Sequence, residues 1–190
     1  MTRDTGRRVR TLANCAGDDL QNIQDSVGRG NDTNARVRFP RGYLETAAII
    51  RSRLPRLGPD TLRRNISYAL MMNDVFRWLA SRTDLSGTAF GMVVKEAICL
   101  LGSICESWTK YATRGHASNR GFRARTTKLV QLSIIDPTLK DELDWIWEIR
   151  SREHLFEVTT REDALYWRHD YSRAVQAFDQ FREALKAKFG

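Results

Sequence analysis

The chain has 190 residues, 42% hydrophobic and 28% charged, with a formal net charge of +8. That is the composition of an ordinary soluble globular protein, long enough for one compact domain with a real core and a loose arm besides. No apolar run approaches the roughly 18 residues of a membrane span, and MTRDTGRRVR has no apolar segment after its charges to make a secretory signal, so the expected location is cytoplasmic.

The charge is unevenly placed. From Asp136 onward there are 9 Lys+Arg against 12 Asp+Glu, whereas residues 1–135 hold 22 against 11. A basic front part suits a polyanion such as RNA, because clustered cations release the counterions condensed on phosphates. Cys15, Cys99 and Cys105 form no CxxC pair and have no metal-ligand spacing with His116, His154 or His169, so neither a disulfide framework nor a zinc site is expected. Cys99 and Cys105 sit in the apolar run AICLLGSIC and read as small buried hydrophobes.

In chain order, residues 1–40 are rich in Gly, Asp, Asn and Arg and read as a mobile basic arm, with at most a short helix over residues 12–23. GYLETAAIIRSRLPRLGPD gives a short helix that Pro55 and the Gly58-Pro59 pair must end. Asp60 is the expected cap of a helix in which Leu62, Ile66, Ala69, Leu70, Val75, Phe76 and Leu79 keep helical spacing. Ser86 or Thr88 opens the next helix, apolar on most of its circumference and so the expected centre of a bundle.

RGHASNRGFRARTTK then reads as a polar loop without an acidic residue. Its Arg114, Arg120, Arg123, Arg125 and Lys128 are candidate phosphate contacts, with Phe122 or His116 available to stack on a base; the plainer alternative is a solvated turn. Asp136 and Pro137 form a cap and N1 proline for PTLKDELDWIWEIRSREHLFEV, with acids crowding the first turns as the helix dipole prefers. The last helix, near ALYWRHDYSRAVQAFDQFREALKAKF, puts Val175, Phe178, Phe181 and Leu185 on one face. No strand is expected, and the fold class is all-α, a bundle of about four to five principal helices over residues 41–190.

On a wheel of about 100° per residue, Leu139, Leu143 and Ile146 form one stripe, and steps of four carry it on to Arg150 and His154. Two polar groups thus stand where a packing face should continue. Burying a guanidinium costs several kcal/mol unless it is paired. Either the helix ends or bends near Ser151, or the pair meets a buried acid, or the face opens onto a cleft. Side by side, the two could address one phosphate. The imidazole would act as base on a ribose 2′-hydroxyl or acid on the leaving oxygen, and the guanidinium would stabilise charge on the phosphate. That is RNA cleavage without a metal. Glu142, Asp144 and Glu148 serve the helix dipole better than a metal, and no GxxxxGK[ST], GxSxG or HExxH occurs.

An all-α chain carrying IWEIRSREHLFEV near its end resembles the HEPN superfamily (higher eukaryotes and prokaryotes nucleotide-binding), small helical bundles of toxins, abortive-infection proteins and RNA-processing systems. Its hallmark is an Arg, usually followed by a polar residue such as Asn, His or Asp, then a His after four to six intervening residues. The resemblance implies a metal-independent RNase with a composite site at a homodimer interface, Arg150 and His154 in the catalytic roles and Ser151 in the polar position. It implies no cofactor, RNA as partner, and an antitoxin or other protein as a further one. Here Ser151, Arg152 and Glu153 alone separate Arg150 from His154, and Ser replaces the usual Asn-like group. The reading from a different class is a non-catalytic helical module that binds RNA or a protein, with Arg150 and His154 as a polar brace.

Overall fold

A computed structural model describes residues 3–30, 32–116, 121–152 and 166–190. Among them every regular element is helical: α1 (Arg3–Val27), α2 (Ala47–Ser52), α3 (Asp60–Arg82), α4 (Gly87–Ala112), α5 (Phe122–Gln131), α6 (Pro137–Ser151) and α7 (Arg168–Phe189). A single 3₁₀ turn spans Thr33–Ala35. The all-α class is as expected, and the chain divides into two compact units, Met1–Arg41 and Gly42–Gly190.

In the first unit, α1 runs well beyond the short helix expected over residues 12–23. Its Gly, Asp and Asn content lowers intrinsic propensity, but its apolar residues recur at helical spacing from Val9 to Val27. None of its described side chains is buried.

The second unit is the bundle. α2 starts where the Thr46 hydroxyl accepts the Ile49 N–H at 3.3 Å. The chain then turns at Gly58, whose φ of +80° is open chiefly to glycine, and a Cβ there would meet Leu62 at 2.9 Å and the Tyr111 ring at 3.2 Å. Asp60 does not cap α3 as expected. Pro59 occupies that position, and Asp60 lies in the first turn, where it pairs with Arg64 at 2.7 Å. There its charge still favours the positive end of the helix.

α4 is the central helix, with α3, α5, α6 and α7 all packed on it. Contrary to the expectation from sequence, it is long and apolar enough to cross a membrane, an 18-residue window reaching a mean hydropathy of 1.6. More than half of that window, 56%, is covered inside the bundle. Trp108 is fully buried, its ring stacked on Phe178 at 5.2 Å and edge-on to Phe181 at 6.0 Å. These contacts join α4 to α7, whose Phe178, Phe181 and Leu185 form the expected inner face. Cys99 and Cys105 are buried, and the Cys99 thiol lies 3.8 Å from the Ile149 carbonyl.

The expected loop around Phe122 is instead helix α5, begun after Gly121. Phe122, Arg125, Thr126 and Leu129 are its buried residues, a helical period whose polar members disguise it. The reversal into α6 passes through Ser133 at φ +53°, and the N–H groups of Ser133 and Ile134 close onto the carbonyls of Val130 and Leu129. α6 begins as its sequence requires: Asp136 Oδ1 accepts the Leu139 N–H at 2.8 Å, with proline in the first turn.

Candidate functional site

The inner stripe of α6 consists of Leu139, Leu143, Ile146 and Ile149, all buried. Ile149 therefore takes the inner place in the last turn, and Arg150 stands beside it, half-buried. α6 stops at Ser151, with Arg152 as its cap, so the first of the three explanations for the broken stripe applies. The Ser151 hydroxyl donates to the Glu148 carbonyl at 2.7 Å, turning the expected polar position toward its own helix. His154 and Arg120 lie outside the described residues.

Arg150 is positioned from two sides. On one, α4 approaches closely at Gly102: a Cβ there would meet Arg150 Cβ at 3.0 Å and Ile146 Cγ2 at 3.2 Å. On the other, the guanidinium lies over the Trp147 ring, 5.4 Å from its centroid. Trp147 in turn stacks on Phe122 at 4.8 Å, and Arg125 lies 6.0 Å from the far ring. Arg125, Phe122, Trp147 and Arg150 thus form a ladder across α5 and α6, each step worth about 0.5–1 kcal/mol.

The end of α6 is cationic. Lys95 of α4 is buried and donates to the Arg152 carbonyl at 3.1 Å, satisfying a group the helix end leaves open. Arg152 pairs with Glu148 at 2.8 Å, and Arg123 reaches the same carboxylate at 3.9 Å. Among the described residues, Glu148 is the acid that pairs with Arg152 and Arg123 at this helix end, where Lys95 and Arg150 also lie. Such a cluster can hold a phosphate, and it also suits the negative end of the helix dipole.

Of the five residues expected to contact RNA, the four described ones differ in exposure. Arg114 and Arg123 are exposed, and Lys128 is half-buried. Arg125 is withdrawn from any phosphate surface: it is 6% exposed, donates from Nε to Thr109 Oγ1 at 3.2 Å, and lies 3.8 Å from Glu106. Burial pulls its guanidinium below the usual value while Glu106 opposes that shift. The neutralising acid comes from α4, not from its own segment. His116 is half-buried rather than solvated, and His169 is exposed.

A second polar cluster escaped the sequence reading. Asn73 of α3 is buried; its Nδ2 donates to the Ala97 carbonyl at 3.1 Å and its Oδ1 accepts the Tyr171 hydroxyl at 2.7 Å. Burial, the main cause, pushes both the Tyr171 phenol and the Asp74 carboxyl upward, and Arg77, 2.8 Å from Asp74, opposes it. The cavity beside them, about 190 Å³, is lined with charges already matched within the chain: Arg77 to Asp74, Arg182 to Asp179, Arg53 to Glu45. The signal was available, since Asn73 falls on one stripe with Ile66 and Ala80. Among the described residues no three His, Cys, Asp or Glu side chains are grouped to hold a metal.

Comparison with protein-family models, curated proteins and solved structures gives no match to this chain.

Proposed function

We propose that this chain acts on RNA in the manner of the HEPN superfamily, as a cytoplasmic, metal-independent endoribonuclease of toxin or defence type. Arg150 is the group that holds the scissile phosphate. The observation that carries this reading is the setting of Arg150, fixed by Gly102 and Trp147 within a cationic helix end. A prepositioned guanidinium loses little freedom on binding, and it stabilises charge that gathers on the phosphate as the 2′-oxygen attacks. His154 takes the 2′-hydroxyl proton, or gives one to the leaving 5′-oxygen. Its pairing with Arg150 rests on the resemblance, because α6 is described to Ser151 and His154 lies outside the described residues. In the resemblance the site is completed by a second copy of the chain. Arg123 and Arg114 supply backbone contacts; Arg125 does not.

The same helix end favours a second reading, a non-catalytic RNA- or protein-binding module. Cations at a helix C-terminus stabilise it, and Arg150 over Trp147 is a sound packing arrangement by itself.

The assay that separates them is cleavage of total RNA with EDTA present by wild type, Arg150→Ala and His154→Ala. Cleavage by wild type alone, with all three folded, supports the enzyme. Absence of cleavage in wild type overturns it in favour of the module. For binding, Arg123→Ala should weaken RNA affinity and flatten its salt dependence by about one counterion, while affinity unresponsive to salt points to a protein partner.

A further inference from the structure

α1 is 25 residues long with no buried described side chain, yet its pattern is that of a helix built to be covered. Val9, Ala13, Ala16, Leu20, Ile23 and Val27 alternate at spacings of four and three, the heptad seam of a two-stranded helix pair. Val9, Leu20 and Ile23 are 47%, 47% and 37% exposed, and Leu12, on the flank of the seam, is 60% exposed. Gly6, Gly17, Thr5, Thr11, Asn14 and Asn22 are poor helix formers, so a helix of this composition depends on burial of its apolar face.

Two further features say what covers it. The first is charge order. The front half holds Arg3, Arg7, Arg8 and Arg10 against Asp4, and the back half holds Asp18, Asp19 and Asp25 with no basic residue. That is the reverse of what the dipole of a lone helix favours. An antiparallel copy corrects it, because each basic half then lies along an acidic half and the two dipoles oppose. A parallel copy sets like charge beside like.

The second is size. Antiparallel pairing that matches residue i with residue 36−i sets Val9 against Val27, Ala13 against Ile23 and Ala16 against Leu20. Every alanine then faces a large side chain, the alternation that fills a core without voids. Parallel pairing in register sets Ala13 and Ala16 on their own copies and leaves a gap there.

We propose that α1 is a self-association element that pairs with α1 of a second copy as an antiparallel coiled coil in this register. The surface is independent of Arg150 and stands whether or not the chain cuts RNA. A membrane is a poorer occupant, since the acidic back half is repelled by anionic headgroups.

The test uses the full chain in a Cys15→Ser background. Chains carrying Val9→Cys are mixed with chains carrying Val27→Cys and oxidised. Cross-linking between the two variants, with little in either alone, is expected. Cross-linking within each variant alone indicates a parallel pair and overturns the proposal. In parallel, Leu20→Asp with Ile23→Asp should halve the particle mass in sedimentation, remove the 9-to-27 cross-link, and lower helix content by about the length of α1. The thermal transition of the bundle should stay in place, which excludes global misfolding. An unchanged mass with the 9-to-27 cross-link retained, or a wild type whose α1 amides are protected although it is monomeric, overturns the proposal.

Discussion

α1 and α4 are nearly the same length, 25 and 26 residues, and are held by opposite means. α4 is enclosed by four neighbours, and thirteen of its residues, from Gly91 to Ala112, are buried. α1 has a single apolar seam and no buried described residue. The comparison separates two uses of one helical period. In α4 the apolar surface is broad, packed by four neighbours with Glu96 and Lys110 left exposed; in α1 it is a single seam, because one face alone needs cover. A helix of either kind gains its stability from what covers it, not from propensity.

The comparison can be broken most strongly at Trp108. Trp108→Ala empties a site packed by Phe178 and Phe181, and should cost about 3–5 kcal/mol in chemical denaturation of the whole bundle. Gly102→Val comes next. Its side chain collides with Arg150 and Ile146, for a loss of about 1–3 kcal/mol and a displaced Arg150, read as lower stability together with a changed Trp147 signal. Tyr171→Phe leaves the buried Asn73 Oδ1 without its donor and should cost about 1–3 kcal/mol by urea midpoint. Ser133→Gly goes the other way, since glycine is at ease at φ +53°, and should raise stability by about 1 kcal/mol.

The smallest effect belongs to α1. Gly17→Ala has open space around its Cβ and should add helix by circular dichroism, with a local gain of about 0.5–1 kcal/mol. The melting transition of the bundle should not move. A shift there shows that the two regions unfold as one.

Where sequence and structure agree, one physical signal dominated. Asp136 before Pro137 set the start of α6, and the phenylalanines of α7 set its inner face. Where they part, signals competed. In α5 the buried period includes Arg125 and Thr126, and a buried arginine looks like a loop arginine until its acid is known; that acid, Glu106, is distant in sequence. In α1 glycines and asparagines masked a regular seam. α6 closes at Ser151 with Arg152 as its cap, a stop that the apolar spacing of WEIRS does not announce, and the expected continuation through HLFEV lies outside the described residues. Arg150 was legible as an anomaly; that Gly102 and Trp147 hold it was not, because both contacts belong to packing.

Trp147 also gives the molecule an optical handle. Its indole has Phe122 on one side and the Arg150 guanidinium over its ring, so its emission depends on where that charge sits. With the other four tryptophans changed to phenylalanine where the fold allows, Trp147 becomes a lamp beside the candidate phosphate site. Quenching or a spectral shift on adding oligonucleotide would then report occupancy of Arg150 in real time, even in a variant that cannot cut.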